Sequence, residues 1–188
     1  MKLESSFEVA APPEAAWDLL MDVPRIVPCM PGAKLTEVVD DSHWKAEMAV
    51  KLGPIGLTFA TDVAHEEVDE AGRRVRIAAE AREVKNRGRA QATIESYLSP
   101  LDDGGTRVDI ATDLTLFGPA AQYGRGMIPD ISSQLVASFA ECLQAQLAAS
   151  PEEAEAAVVA RAKPVSGLSL YFRALRRAIA QFFGRRSP

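Results

Sequence analysis

From residue 44 to residue 116, apolar and polar positions alternate with period two, one segment after another. In WKAEMAVKL, Ala46, Met48, Val50 and Leu52 share one side, with Lys45, Glu47 and Lys51 opposite. In LTFATDV, Leu57, Phe59, Thr61 and Val63 share a face. The pattern repeats with Val75, Ile77, Ala79 and Ala81, then with Ala90, Ala92, Ile94 and Leu98, then with Val108, Ile110, Leu114 and Leu116. Alternation with one wet face predicts an antiparallel sheet. The connecting stretches GPIG, DEAGR, KNRG and LDDGGTR predict successive hairpins. KLESSFEV at the start and Leu35 to Val39 read as two further strands.

The period changes twice. In APPEAAWDLLM, Trp17, Leu20 and Met21 recur at helical spacing behind prolines that a first helical turn tolerates. A second short helix is expected in DVPRIVPCM, closed by a turn at Pro31-Gly32. After Gly118 the apolar residues Ile128, Ile131, Leu135, Phe139, Cys142 or Leu143, and Leu147 fall at spacings of three and four, which predicts a long amphipathic helix. Pro129 fits only near a helix start, so the regular helix is expected to begin at about Pro129 or Asp130. The resulting class is α+β, a curved antiparallel sheet whose apolar face the long helix covers. The inward positions Ala79, Ala81, Ala90 and Ala92 are small. Either they leave a cavity between sheet and helix, or large side chains such as Trp17, Phe59 and Phe139 fill it.

Charge separates the body from the end of the chain. Residues 1–150 hold 14 Lys+Arg against 23 Asp+Glu, whereas residues 164–188 hold five arginines and no acid. The acidic body offers no basic stripe for nucleic acid. Residues 151–167, PEEAEAAVVARAKPVSG, read as a spacer. Residues 168–188 form a third unit. On a helical wheel Leu168, Phe172, Leu175, Ile179, Phe182 and Phe183 share one arc, with Arg173, Arg176 and Arg177 beside and behind it. That is the pattern of a helix lying in a membrane interface, and a partner protein or the domain itself are the other surfaces it could face.

Catalytic and metal motifs are missing from the sequence. His43 and His65 sit in no ligand spacing and are expected on exposed strands or turns. No Gly-x-Ser-x-Gly is present, and no inward strand position singled out above carries an acid or base. Cys29 and Cys142 are far apart and are expected as separate, small, buried residues rather than a disulfide framework. The first residues are acidic and lack the apolar core of a secretory signal, and no stretch reaches the ~18 apolar residues of a membrane span, so a cytoplasmic protein is expected.

Three stretches carry a resemblance: MPGAKLTEV at 30–38, KLGPIGLTFATDV at 51–63, and DLTLFGPAAQYGRGMIPDISSQLVASFAECL at 113–143. With the order of elements, they make residues 1–150 resemble the START-like, helix-grip superfamily, and within it the carbon monoxide dehydrogenase CoxG family. The Pro-Gly turn, Gly53 to Phe59, and Gly118, Ala121 and Gly124 occupy the matching positions. Leu116 and Phe117 make the approach to the long helix bulkier than in many relatives.

The resemblance implies a function without catalysis and without a metal. Such proteins accompany molybdenum-containing hydroxylases such as carbon monoxide dehydrogenase and help place them at the inner face of the cytoplasmic membrane. START-like domains hold apolar ligands between sheet and helix, and some bind quinones. The expected guest is therefore an apolar molecule such as menaquinone or ubiquinone, not covalently held. Its candidate contacts are Met30, Met48, Leu57 and Phe59 on the body, and Phe117, Tyr123, Met127 and Ile128 near the start of the long helix. A ligand-free docking adaptor and a START-like cyclase or hydrolase are the competing readings.

Overall fold

The computed structural model describes residues 1–52, 55–118 and 120–149, without the side chains of residues 52, 55, 120 and 122–127. The spacer at 151–167 and the basic segment at 168–188, with all nine residues assigned to membrane contact, lie outside the described residues. The order of elements is β1 (Lys2–Val9), α1 (Pro13–Met21), α2 (Val23–Ile26), a 3-10 turn (Val27–Cys29), β2 (Ala33–Val38), β3 (His43–Leu52), β4 (Ile55–Asp69), β5 (Arg74–Glu83), β6 (Arg89–Pro100), β7 (Thr106–Phe117) and α3 (Ala120–Ala148).

The strands form one curved antiparallel sheet in the order β1-β7-β6-β5-β4-β3-β2. Every pair except β1–β7 is a hairpin of sequence neighbours, as the short turns require. The chain closes on itself when Lys2 pairs with Asp113 and Val9 with Thr106. The Thr106 hydroxyl, fully buried, donates to the carbonyl oxygen of Ala11 at 2.7 Å and fixes the exit from β1 into α1.

One end of the concave face is densely packed. Val9, Ala16, Trp17, Val75, Leu98 and Val108 form a cluster beneath α1. A second cluster joins Leu19, Cys29, Phe139, Cys142 and Leu143, so the C-terminal half of α3 is locked against α1 and the 3-10 turn. Gln146 reinforces this contact by donating to the carbonyl oxygen of Arg25 at 3.0 Å. Gly32 closes the Pro31-Gly32 turn at φ +84°, where an added Cβ would run into the carbonyl oxygen of Ala49.

Three expectations need correction. Cys29 and Cys142 are joined in a disulfide across 113 residues, with their Cα atoms 5.3 Å apart. Sequence distance concealed the pairing because α3 folds back over the 3-10 turn. The long helix begins at Ala120, not near Pro129, which lies inside it and is exposed. A proline there removes one backbone donor, a local loss that a helix of 29 residues survives. His65, expected on the surface, is partly buried with its ring 4.7 Å from that of Trp44. A bulge between His65 and Glu67 shifts the register of β4 beyond this point.

Candidate functional site

Strand register places the small inward residues side by side. Ala46, Thr61, Ala81, Ala90 and Leu116 are successive partners across β3 to β7. Trp44, Val63, Ala79, Ala92 and Leu114 form the next row. All of the first row keep partial solvent exposure although they point toward the helix side of the sheet. At the other end of the same face Val9, Leu98 and Val108 retain only 2%, 3% and 1%. The difference locates open space beneath the N-terminal half of α3. Ile131 of α3 reaches across to the cluster of Leu57 and Phe59, which Met48, Val50 and Ala81 flank. Thr61 Oγ1 is buried in this wall with no hydrogen-bond partner among the described residues.

A buried ion pair stands at the rim. The inward parity of β5, from Val75 through Ala81, continues to Glu83, whose side chain has 0% exposure. Arg87 Nη2 donates to Glu83 Oε1 at 2.7 Å and to the carbonyl oxygen of Gly56 at 3.0 Å, tying the β5–β6 turn to the start of β4. The backbone N–H groups of Lys85 and Arg87 donate to Glu83 Oε2 at 2.7 and 3.1 Å. The hydrogen bond from Arg87 is the main reason the Glu83 carboxyl is held down at about 2, and the two backbone donors add to it against the opposing effect of burial. The guanidinium of Arg87 is pushed up in return. Gly118, at φ +77°, brings the start of α3 against the same turn, where an added Cβ would lie 3.3 Å from the Cα of Gly88.

The expectation that no inward strand position carries an acid or base is thus corrected by Glu83 and by His65, which burial pushes below its usual 6.5. The signal for Glu83 was in the sequence: an acid at inward parity with an arginine four residues on, across a turn. Its three donors hold Glu83 as a carboxylate, so it has no proton to give near neutrality. Among the described residues no group of three or more His, Cys, Asp or Glu side chains is placed to hold a metal ion.

The candidate contacts are only partly brought together. Met48, Leu57 and Phe59 meet in one cluster on the concave face. Met30 packs beside Cys29 and Phe139, toward the closed end. Ile128 is partly buried on α3, and the side chains of Tyr123 and Met127 lie outside the described ones. Phe117 is corrected: it lies on the outer face of β7, 41% exposed, with the Arg89 guanidinium 5.8 Å from its ring centroid. Leu116, its neighbour, points inward, so only one of the two bulky residues narrows the opening. Two grooves on the outer face, bordered by Glu4, Arg76 and Glu95, are polar and open to water.

Solved structures share this architecture at low sequence identity. A conserved protein from Geobacillus kaustophilus superposes with a TM-score of 0.70 at 19% identity, covering 79% of this chain and 95% of its own. The Zhui aromatase/cyclase from Streptomyces sp. R1128 gives 0.56 at 16% identity, covering 78% and 93%. A START superfamily protein from Mycobacterium smegmatis gives 0.51 at 16%, covering 78% and 96%. These likenesses establish the START-like helix-grip fold. No curated protein matches the chain by sequence. The family model for the carbon monoxide dehydrogenase protein CoxG matches residues 5–148, the whole sheet beyond the first residues of β1 and nearly all of α3, and the chain belongs to that family.

Proposed function

We propose that the domain is a non-catalytic accessory protein of a molybdenum hydroxylase of the carbon monoxide dehydrogenase type, and that it carries an apolar guest between sheet and α3. The carrying observation is the row Ala46–Thr61–Ala81–Ala90, small and still partly exposed on the inward face. Larger residues there would have closed the core, as they do at the Trp17 end. The guest is a respiratory quinone, menaquinone or ubiquinone. Its apolar body suits the alanine wall, and a quinone carbonyl could accept the unpartnered hydrogen of the Thr61 hydroxyl. The basic amphipathic segment at 168–183 holds the protein at the inner face of the cytoplasmic membrane, its phenylalanines in the interface and its arginines at headgroup level. Family membership supports the hydroxylase partner.

Two measurements test the carrier. Solvent extraction of protein purified from a quinone-containing host should yield quinone, and added menaquinone or ubiquinone analogues should raise the melting temperature. Protein that yields none and does not respond is the ligand-free adaptor instead.

A further inference from the structure

The hairpin topology sorts the turns between the two ends of the sheet. The β2–β3, β4–β5 and β6–β7 turns lie at one end; the β3–β4 and β5–β6 turns, with Gly118 before α3, lie at the other. The sequence charges these ends oppositely. The first three turns carry the exposed acids Asp40 and Asp41, Asp69 and Glu70, and Asp102 and Asp103. The opposite end carries Lys51, Arg82, Lys85, Arg87 and Arg89, and the one acid among residues 51–57, 82–89 and 116–118 is Glu83, already bound by Arg87. Lys51, Arg82, Lys85 and Arg89 are all exposed, and none forms an ion pair among the described residues. A body with a net excess of acid has therefore gathered unneutralised cations at one pole.

Two details point to an anionic surface. Arg82 and Arg89 are direct partners across β5 and β6, an arrangement of like charges that a sheet disfavours unless anions lie beside it. The next residue in that row is Phe117, and Val84 stands at the turn, 41% and 56% exposed. Cations interleaved with an exposed aromatic and an exposed aliphatic match the headgroup layer of a bilayer, where phosphates meet arginine and the rings sit at the boundary.

We infer that this end of the sheet, the Val84–Arg89 turn with Lys51, Arg82 and Phe117, is a second contact with an anionic membrane, separate from residues 168–183. The inference extends the membrane part of the proposed function and uses none of that segment's residues. The acidic pole is repelled by the same surface, so charge alone orients the domain. The open space beneath the start of α3 then faces lipid, and an apolar guest can pass between bilayer and concave face without crossing water.

The test uses the full chain and vesicles of phosphatidylcholine with or without phosphatidylglycerol. An environment-sensitive dye on Val84→Cys should shift to the blue with anionic vesicles, and the same dye on Asp102→Cys should not. Arg82→Gln, Lys85→Gln and Arg89→Gln together should weaken binding to anionic vesicles by about fivefold per cation. The charge-keeping set Arg82→Lys, Lys85→Arg and Arg89→Lys should bind as the parent does. Equal dye responses at 84 and 102, or unchanged binding by the Gln set, overturn the inference. If instead the dye at 84 answers only to the purified hydroxylase, the surface belongs to a protein partner and the inference also fails. Arg173→Gln, Arg176→Gln and Arg177→Gln form the control: loss of binding in that set, with none in the first, leaves the terminal anchor standing and removes this one.

Discussion

Arg87 donates a 2.7 Å hydrogen bond to the buried carboxylate of Glu83 and, from the same nitrogen, a 3.0 Å bond to the backbone of Gly56. One side chain therefore holds two turns of the sheet together at the rim of the open space. Because the Glu83 carboxyl is held at about 2, below the ordinary 4.5, its stabilising effect is complete above about pH 4.5 and is lost as pH falls toward about 2. Glu83→Gln should flatten the fall in melting temperature across that window. The expected readout is a pair of melting-temperature curves that differ in slope between pH 5 and 2.

His65 supplies a second, distinguishable pH dependence. Burial beside Trp44 lowers its folded value, so the unfolded chain takes up a proton first as pH drops below about 6.5. Stability should decline over the pH unit below that point. His65→Gln should remove this slope and leave the acid limb set by Glu83 intact, as thermal melts from pH 7.5 to 5 would record.

Filling the alanine row tests the carrier directly. Ala90→Leu places a larger apolar side chain on the concave face between Ala81 and Leu116. Open space accepts it with a change in stability of less than about 1.5 kcal/mol, whereas a filled core would lose about 1–3 kcal/mol to overpacking. The ligand-dependent rise in melting temperature should disappear in the variant. Thr61→Val is the milder companion: it keeps the shape and should weaken quinones more than hydrocarbon analogues without carbonyls.

The Cys29–Cys142 bond closes a long loop between the 3-10 turn and α3. Its removal in Cys29→Ser/Cys142→Ser should lower stability by about 2–4 kcal/mol in the chain-entropy view. That corresponds to a melting-temperature drop of roughly 5–15 °C for a chain of this size. Thiol labelling of denatured protein before and after reductant reads the state directly, with two labels expected only after reduction. Disulfides persist where the surroundings are oxidising, so the same labelling on freshly lysed cells reports the compartment in which the domain resides.

Strand number, hairpin order and the face of each strand are legible from alternation alone, because a half-wet sheet writes its two faces into a period of two. The helix that covers it is legible from Ile131 to Leu147, where the stripe meets protein. Its first nine residues are not, because Gly124, Gly126 and Pro129 all disfavour helix locally. Hydrophobicity alone misplaces Phe117; parity with the inward Leu116 turns it outward. The Cys29–Cys142 pair and the Trp44–His65 contact depend on tertiary placement, which no local pattern records.

The strand order has a consequence for synthesis. Six strands can zip to their neighbours as they leave the ribosome, but β1 must wait for β7, whose partner residues lie about a hundred positions later. At ~5–20 residues per second that is a delay of roughly 5–20 s. Throughout it the first strand has a bare edge, and the nascent chain is most open to a chaperone, or to the wrong neighbour, at its very beginning.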